Sequence, residues 1–283
     1  MKFRRSERLI DMTNYLLEHP RQLVSLTFFS ERYLSAKSSI SEDLGIIKDT
    51  FEHQGIGTLK TFPGAAGGVY YIPKVKEEDA ERILDDICLQ MANPDRLLPG
   101  GYLYMTDLLG HPNMVQKVGK LLASAFASKE IDVIMTVATK GIPIAYATAA
   151  QLNVPVVIVR PDSRVTEGST VSINYVSGSS KRIQTMVLSK RSLPEGANVL
   201  IVDDFMKAGG TINGMISLLQ EFNATLSGIG VLVESEHAED RLVDEYVSLV
   251  KLKNVDVKQK QIEVVRGNYF SRREVVTNEN SEL

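Results

Sequence analysis

The sequence predicts an α/β protein with two domains, and three observations support this prediction. The first 73 residues contain three helical patterns followed by two β-prone runs. From residue 112 onward, strands rich in Val and Ile alternate with helical patterns, which is typical of a parallel sheet covered on both faces. One of these strands leads directly into two adjacent carboxylates, Asp203 and Asp204, and a glycine-rich segment. That segment is where we expect a ligand.

Composition narrows the class of protein. The chain has 283 residues with 43% hydrophobic content, which is enough to form two cores. A net charge of -3 gives no overall electrostatic signal for nucleic acid or membrane, so any basic surface must be local. The single cysteine, Cys88, excludes an intramolecular disulfide, and the four histidines lack the spacing of metal ligands. No apolar run approaches the roughly 18 to 20 residues that span a bilayer, and we expect a cytoplasmic protein without a membrane partner.

The first domain begins with three predicted helices. Apolar residues at helical spacing predict a helix over 6–18, which a proline stops, and a shorter helix over 26–34. Ser39 and Glu42 have the spacing of a capping box and predict the start of a third helix that ends at Gly55.

A hairpin is predicted after the third helix. Two short β-prone runs over 56–62 and 69–72 bracket the glycine-rich segment 63–68. Three helices followed by a hairpin is the element order of a winged helix-turn-helix. We therefore predict a winged-helix DNA-binding domain over 1–73.

The second domain, over 74–283, begins with an amphipathic connector helix within 74–91. After breaks at 93–94 and 99–101, strand and helix patterns alternate. The prediction comprises a helix over 112–128, a strand over 131–137, a helix over 142–152, a strand over 154–159, a strand over 198–202, a helix over 211–222 and a strand over 226–233. The pattern weakens from residue 251, and 277–283 is polar enough to predict a frayed tail.

The strand over 198–202 predicts a sugar-phosphate site. Ligands of parallel sheets bind beyond the carboxyl ends of the strands, where Asp203 and Asp204 emerge. Adjacent carboxylates repel each other unless hydroxyl donors or a cation compensate, as a ribose diol or Mg²⁺ would. The following glycines and helix start offer backbone N–H groups to a phosphate, with a hydroxyl from Thr211 and a positive charge from Lys207. An acidic pair in an ordinary strand-to-helix loop is the alternative; the P-loop and dinucleotide fingerprints are absent.

The segment 199–211 resembles the motif by which type I phosphoribosyltransferases bind 5-phosphoribosyl-1-pyrophosphate (PRPP). The resemblance implies a phosphoribosyltransferase-like fold for the second domain. It also implies that Asp203 and Asp204 hold the ribose hydroxyls and that the loop after them surrounds the 5-phosphate. The implied loop residues are Phe205, Lys207, Ala208, Gly209, Gly210 and Thr211. Ala208 departs from the family, because many members have Thr or Ser there, and this departure counts against full catalysis.

Two further segments extend this resemblance. Residues 138–141 resemble the family's pyrophosphate loop, in which Thr139 precedes the basic Lys140 and Gly141 opens a helix. An ordinary strand-to-helix turn is the alternative. The polar insert over 160–189 alternates as a hairpin and resembles the mobile loop of these enzymes. A solvated hairpin with Lys181 and Arg182 on its surface is the alternative for the insert.

The basic residues of the first domain are clustered, although its total charge is nearly balanced at nine Lys and Arg against eight Asp and Glu. A helix N-terminus presents side chains to base edges and N–H groups to phosphates, and a wing follows the DNA backbone. Solvated basic residues and a simple helix cap are the alternatives. The predicted DNA-binding residues are Arg4, Arg5, Arg8, Lys37, Ser38, Ser39 and Lys60.

The whole chain resembles the purine operon repressors of Gram-positive bacteria. The segments that carry this resemblance are 1–6, 27–32, 63–68, 98–102 and 203–211. It implies a homodimer that binds double-stranded operator DNA of purine synthesis genes, with PRPP as the inducer. We expect the second domain to bind PRPP, with or without Mg²⁺, and not to turn it over. The resemblance also suggests a guanosine tetraphosphate-type nucleotide as corepressor, with Tyr102 stacking on its purine; packing is an equal alternative for this aromatic ring.

Two other functions remain open at this point. An active purine phosphoribosyltransferase with a regulatory DNA-binding domain would need base recognition and transition-state stabilisation in addition to PRPP binding. A nucleic-acid scaffold with a vestigial sensor domain would bind no PRPP.

Overall fold

The N-terminal part is a three-helix unit with a small antiparallel sheet. A computed structural model describes residues 3–64, 67–163, 165–176, 182–236 and 241–272. The elements of this part are α1 (Arg5–Glu18), β1 (Val24–Ser25), α2 (Leu26–Tyr33), α3 (Lys37–Gln54), β2 (Gly57–Phe62) and β3 (Gly68–Pro73). The strands are ordered β1-β3-β2, and both pairings are antiparallel. The predicted winged helix-turn-helix is confirmed, with β1 as an additional strand.

The helix starts depart from the predicted caps. The capping box at Ser39 is wrong: α3 begins at Lys37, its N-cap is Ala36, and no side chain caps it. The chain leaves α2 through Leu34 in the left-handed region, with φ of 50°, and the extended Ala36 then caps α3 three residues before the predicted cap at Ser39. Ser25 caps α2, where its Oγ accepts a hydrogen bond from the N–H of Phe28 at 3.1 Å.

A buried ion pair joins α1 to α3. Asp43 of α3 has a side chain only 1% exposed, and its two oxygens accept from Arg5 Nε and Arg8 Nη2, both at 2.8 Å. Arg8 itself is 12% exposed at its side chain. Because a buried carboxylate without partners is strongly destabilising, these arginines hold the two helices together.

The C-terminal part is a doubly covered sheet. Its elements are α4 (Glu77–Met91), β4 (Leu97–Leu98), β5 (Tyr102–Leu103), α5 (Thr106–Gly110), α6 (Pro112–Ala125), β6 (Val133–Val137), α7 (Gly141–Leu152), β7 (Val156–Val159), β8 (Thr170–Val176), β9 (Ile183–Ser189), β10 (Asn198–Met206), α8 (Gly210–Gln220), β11 (Thr225–Ser235), β12 (Val247–Asp256) and β13 (Gln261–Arg266). The six-stranded sheet has the order β13-β12-β11-β10-β6-β7, and all its pairings are parallel except that of β13. The predicted parallel sheet is confirmed.

One strand changes the position of the predicted site. β10 extends to Met206, which pairs with Glu234 of β11, whereas the sequence predicted an end at residue 202. Asp203 and Asp204 therefore lie within the strand. Their backbone is held by the sheet, so the two carboxyl groups are fixed more rigidly than they would be in a loop.

Two strands of the six-stranded sheet were not predicted. The sequence pattern weakens from residue 251, whereas β12 and β13 form that edge of the sheet. β12 pairs with β11 through a largely buried segment, while β13 is an edge strand with alternating exposure, and polar residues on such an edge hide the periodicity. The predicted tail over 277–283 and the hairpin tip over 177–181 lie outside the described residues.

Hydrogen bonds connect the two parts of the protein. Arg21, in the turn after α1, donates from Nη2 to the carbonyl of Lys129 at 2.8 Å. In the connector two residues after β3, the N–H of Val75 donates to Ser124 Oγ on α6 at 3.1 Å, inside a buried contact. β3 itself also lies against α6, so the winged-helix unit contacts both α6 and the segment that connects α6 to β6. Over the ranges described above, no helix has the length and apolar character needed to cross a bilayer.

Candidate functional site

A cavity of about 620 Å³ lies at the carboxyl end of the sheet. One wall is the turn from β10 to α8, and the other is formed by the ends of β12 and by the β4–β5 hairpin. The predicted residues that line it are Tyr102, Lys140, Asp204, Phe205, Lys207, Ala208, Gly209, Gly210 and Thr211. The structure thus brings together residues from three separate segments of the sequence. Asp203, Thr139 and Gly141 are not part of the wall and lie behind it or beside it.

The phosphate loop, residues 207–211, has the geometry of an anion site. Gly209 has φ of 85°, which a side chain rarely adopts, and a Cβ there would lie 2.9 Å from Val243 Cγ2. α8 begins immediately afterwards at Gly210, and the first N–H groups of a helix have no partners within the helix. The residues that carry these N–H groups, Gly210, Thr211 and Ile212, line the cavity. The loop can therefore bind a phosphate through its backbone.

The two carboxyl groups have different surroundings. Asp203 is 3% exposed, and its Oδ1 accepts from the N–H of Asp204 at 2.9 Å. Burial raises the pKa of Asp203 well above its usual range, and the negative charge of Asp204 raises it further. Burial also raises the pKa of Asp204, while a hydrogen bond from Asp203 and the positive charge of Lys140 oppose that rise. The pair would be relieved by a ligand that donates hydroxyl groups.

Close packing joins the second loop to this pair. A Cβ on Gly141 would lie 2.3 Å from Thr136 Oγ1 and 2.9 Å from Asp203 Oδ1, so only glycine lets α7 start this close to the acid. The hydroxyl of Thr136 is buried and has no hydrogen-bond partner among the described residues. The peptide between Ala138 and Thr139 is cis. Lys140 lines the cavity, as expected for the basic group of a pyrophosphate loop.

Most of the opposite wall, apart from Tyr102, was not predicted from the sequence. It consists of residues around Tyr102 and of the end of β12, namely Gly100, Gly101, Leu103, Met105, Leu252, Lys253, Asn254, Val255 and Val257. Tyr102 is 71% exposed and stands at the rim. The glycine pair before Tyr102 was a visible signal in the sequence. The end of β12 gave none, because apolar side chains and backbone groups form most of it.

The β8–β9 hairpin rests on α8. A Cβ on Gly214 would lie 2.9 Å from Tyr175 Cγ, and the phenol of Tyr175 is near enough to interact with Thr211 and with the charge of Asp203. Burial raises the pKa of this phenol. The described part of the predicted hairpin is therefore packed against the helix that follows the phosphate loop, and only its outer face, including Arg182, is exposed.

The predicted DNA-binding residues fall into two groups. Arg4, Lys37, Ser38 and Lys60 are exposed, with Lys37 and Ser38 in the first turn of α3, and Ser39 is half-buried. Lys60 Nζ lies 5.5 Å from the ring centroid of Phe62 on the wing. Arg5 and Arg8 both bind Asp43, an ion pair that the sequence did not predict, and their DNA-binding role stays a prediction.

The fold and the site define a class of protein: a winged-helix unit joined to a ligand domain of the phosphoribosyltransferase type. Residues 4–73 match the family described as bacterial purine repressor, N-terminal, and residues 105–265 match the phosphoribosyl transferase domain. A crystal structure of adenine phosphoribosyltransferase from Thermoanaerobacter pseudethanolicus superposes with a TM-score of 0.52 at 24% identity. The match covers 59% of this chain and 99% of that one, and it shows the fold alone.

Full-length relatives identify the family. The chain is 69% identical over 270 residues to the purine biosynthesis transcriptional repressor PurR of Bacillus subtilis (strain 168), covering 95% of each chain. It is 49% identical to the purine biosynthesis transcriptional activator PurR of Lactococcus lactis subsp. lactis (strain IL1403), covering 95% of this chain and 99% of the relative. The protein therefore belongs to the family of bacterial purine biosynthesis transcriptional regulators, as its sequence predicted.

Replacing Asp203 by Asn is expected to stabilise the ligand-free protein at neutral pH. An acid whose pKa is raised by folding contributes its stability below the unfolded value, near 3.8, and loses it as the pH rises through the folded-state pKa. An amide does not ionise, so the advantage of Asp203→Asn should grow from pH 4 to pH 7. Thermal unfolding measures it, and we expect the Tm at pH 7 to rise by at least about 2 °C.

The exposed Asp49 supplies the control for this experiment. Asp49→Asn should leave the Tm within about 1 °C of the wild type at both pH values, because exposed substitutions change stability little. An Asp203→Asn variant that is less stable than the wild type at pH 7 would contradict the inferred cost of burying this carboxyl group.

Proposed function

We propose that the protein represses purine synthesis genes by binding their operator DNA and releases it when PRPP occupies the cavity. One observation carries the proposal: the cavity brings together Asp204, the less buried member of the acidic pair, the basic Lys140 and the glycine-rich phosphate loop. Each group matches one part of PRPP, a ribose with a phosphate at one end and a diphosphate at the other. The resemblance at 69% identity to a repressor, against 49% to an activator, favours repression.

The pocket chemistry sets an orientation for PRPP. The 5-phosphate would accept hydrogen bonds from the N–H groups of the phosphate loop. The helix dipole at the start of α8 and the positive charge of Lys207 would also stabilise it. The ribose hydroxyls would donate to Asp203 and Asp204, which relieves the repulsion between the two acids. Lys140 would face the diphosphate. The volume of about 620 Å³ is ordinary for a cofactor-sized ligand.

Mg²⁺ would enter as part of the ligand. In the portions of the chain that the structure describes, no cluster of three or more His, Cys, Asp and Glu side chains could hold a metal ion. A diphosphate supplies several oxygen ligands and Mg²⁺ keeps some of its water, so one carboxylate such as Asp204 is enough to complete the site. The ion would neutralise the diphosphate charge beside the acidic pair.

The far wall of the cavity suits a purine. Tyr102 presents an exposed ring at the rim, and the end of β12 adds apolar and backbone groups opposite the phosphate loop. A guanosine tetraphosphate-type nucleotide would stack its base on Tyr102 and place phosphates where PRPP binds. PRPP and this nucleotide would then exclude each other. Because the nucleotide would keep the inducer out of the cavity, it would act as a corepressor.

The DNA contacts are assigned to the exposed residues of α3 and the wing. Lys37 and Ser38, at the start of α3, would reach base edges or phosphates, and Lys60 would contact the backbone from the wing. Arg4 would add charge beside α1, and Ser39 would contribute from its half-buried position. A homodimer would present two such units to double-stranded DNA, as repressors with paired half-sites do.

Binding without catalysis is part of the proposal. Ala208 provides no hydroxyl at a position where many phosphoribosyltransferases have one. The far wall of the cavity also carries few ionisable groups that could take part in catalysis. An active purine phosphoribosyltransferase is the second candidate, since residues 105–265 match that domain and the wall can hold a base.

The enzyme candidate has a direct test. We expect no nucleotide when the protein is incubated with PRPP, Mg²⁺ and each of adenine, guanine, hypoxanthine and xanthine, because binding PRPP alone does not stabilise the transition state. Chromatography of the mixture measures the product. Turnover in the range of about 1 s⁻¹ or faster, typical of enzymes, would make the protein a transferase.

Asp204→Asn is expected to abolish the response to PRPP and to leave DNA binding unchanged. The substitution removes a charged acceptor of the ribose hydroxyls, 144 residues along the chain from the nearest predicted DNA contact, Lys60. Gel-shift titration with control-region DNA of purine synthesis genes, with and without PRPP and Mg²⁺, measures both properties. Glu221→Gln, an acid-to-amide change at an exposed residue outside the cavity wall, is the control and should respond as the wild type does.

A variant carrying Asp204→Asn that releases DNA normally with PRPP would remove Asp204 from the effector site. A variant that no longer binds DNA would show that the substitution acts on the winged-helix unit.

A further inference from the structure

Glu234 is a buried acid outside the cavity, and the proposed ligand contacts do not use it. It lies near the end of β11, is 2% exposed and pairs with Met206 of β10 and Lys251 of β12 in the sheet. A buried carboxylate is unfavourable unless donors surround it. The groups that donate hydrogen bonds to Glu234 therefore indicate which part of the chain it holds in place.

Two of these donors belong to the segment 241–246. Glu234 Oε2 accepts from Arg241 Nη1 at 2.8 Å and from the hydroxyl of Tyr246. Arg241 also donates from Nη2 to the carbonyl of Ser235 at 2.8 Å and lies over the ring of Tyr246, 5.3 Å from its centroid. The carboxylate thus fixes the first and the last residue of this segment at one point. Its other oxygen accepts from Ser248 Oγ at 2.9 Å.

The same segment supports the phosphate loop from behind. The N–H of Leu242 donates to the carbonyl of Ala208 at 2.9 Å, and Val243 packs against Gly209. The carbonyl and the following N–H of a trans peptide point in opposite directions. Fixing the Ala208 carbonyl on Leu242 therefore turns the N–H of Gly209 away from the segment, and Gly209 lines the cavity.

We infer that Glu234 is a positioning residue for effector binding, acting through Arg241 and Tyr246 on the phosphate loop. This inference rests on the proposed function, because it assigns the loop to the 5-phosphate of PRPP. Backbone donors bind an anion well only when their directions are set before the ligand arrives. Without its anchor, the segment 241–246 would let the Ala208–Gly209 peptide turn, and the phosphate would lose an aligned donor.

The test is direct binding of PRPP with Mg²⁺ by calorimetry to the full chain and its variants. Glu234→Gln keeps the shape of the side chain but weakens the bond to Arg241, and we expect PRPP affinity to fall about tenfold or more, as when a supporting group behind a ligand contact is removed. Ser248→Ala is the matched control. It removes a donor from the other oxygen of Glu234 without touching the segment 241–246, and its PRPP affinity should stay within about twofold of the wild type.

A merely structural role predicts a different result. In that case both variants would lower the Tm of the ligand-free protein without changing PRPP affinity. Arg241→Gln provides the second variant if Glu234→Gln fails to fold. If Glu234 acts through Arg241, the double variant should bind PRPP no more weakly than either single variant, because residues that act as one unit are not additive.

The outcomes separate this inference from the proposed function. A wild type that binds PRPP together with Glu234→Gln and Arg241→Gln variants that bind it equally well would overturn the role of Glu234 alone. A wild type that binds no PRPP would overturn the proposed function and this inference with it. Weak binding by Glu234→Gln beside normal binding by Ser248→Ala supports the inference.

Discussion

Two adjacent carboxyl groups at the buried end of β10 are the constraint around which the ligand domain is arranged. Asp203 is almost fully buried, and both its burial and the negative charge of the adjacent Asp204 disfavour its ionised form. Such a pair is stabilised where a ligand donates hydroxyl groups to it or a cation offsets its negative charge. The start of α7 at Gly141 packs against Asp203, and Lys140 and the phosphate loop line the same cavity as Asp204.

The arrangement suits a sensor because occupancy changes the electrostatics of the site. In the proposed function, a ribose whose hydroxyls donate to the acidic pair would reduce the repulsion between the two acids, so binding would have a large local effect. The winged-helix unit reaches the same domain through Arg21 at Lys129, and the segment after Lys129 leads into β6, whose end carries the loop 138–141. An effect at the cavity therefore has a short covalent path to the contact between the two parts of the protein.

Sequence patterns predicted most elements of the fold and one half of the site. The strand and loop over 199–211 were predictable because a glycine-rich turn after an apolar strand has few structural solutions. The second wall was not, because the end of β12 contributes apolar and backbone groups that leave no signature. Arg8 illustrates the same limit, since clustering indicated a basic surface and only the structure revealed its partner, the buried Asp43, 35 residues away. Ser39 shows that cap signals are ambiguous when the preceding turn fixes the start of a helix.

The central claim is that PRPP and operator DNA oppose each other through one molecule, and reciprocal titration tests it most directly. PRPP affinity would be measured for the free protein and for its complex with control-region DNA, beside DNA affinity with and without PRPP. Linkage requires both ratios to be equal, and we predict that PRPP binds the DNA complex about 5- to 150-fold more weakly. Equal PRPP affinity for both forms, with DNA affinity unchanged by PRPP, would contradict the account.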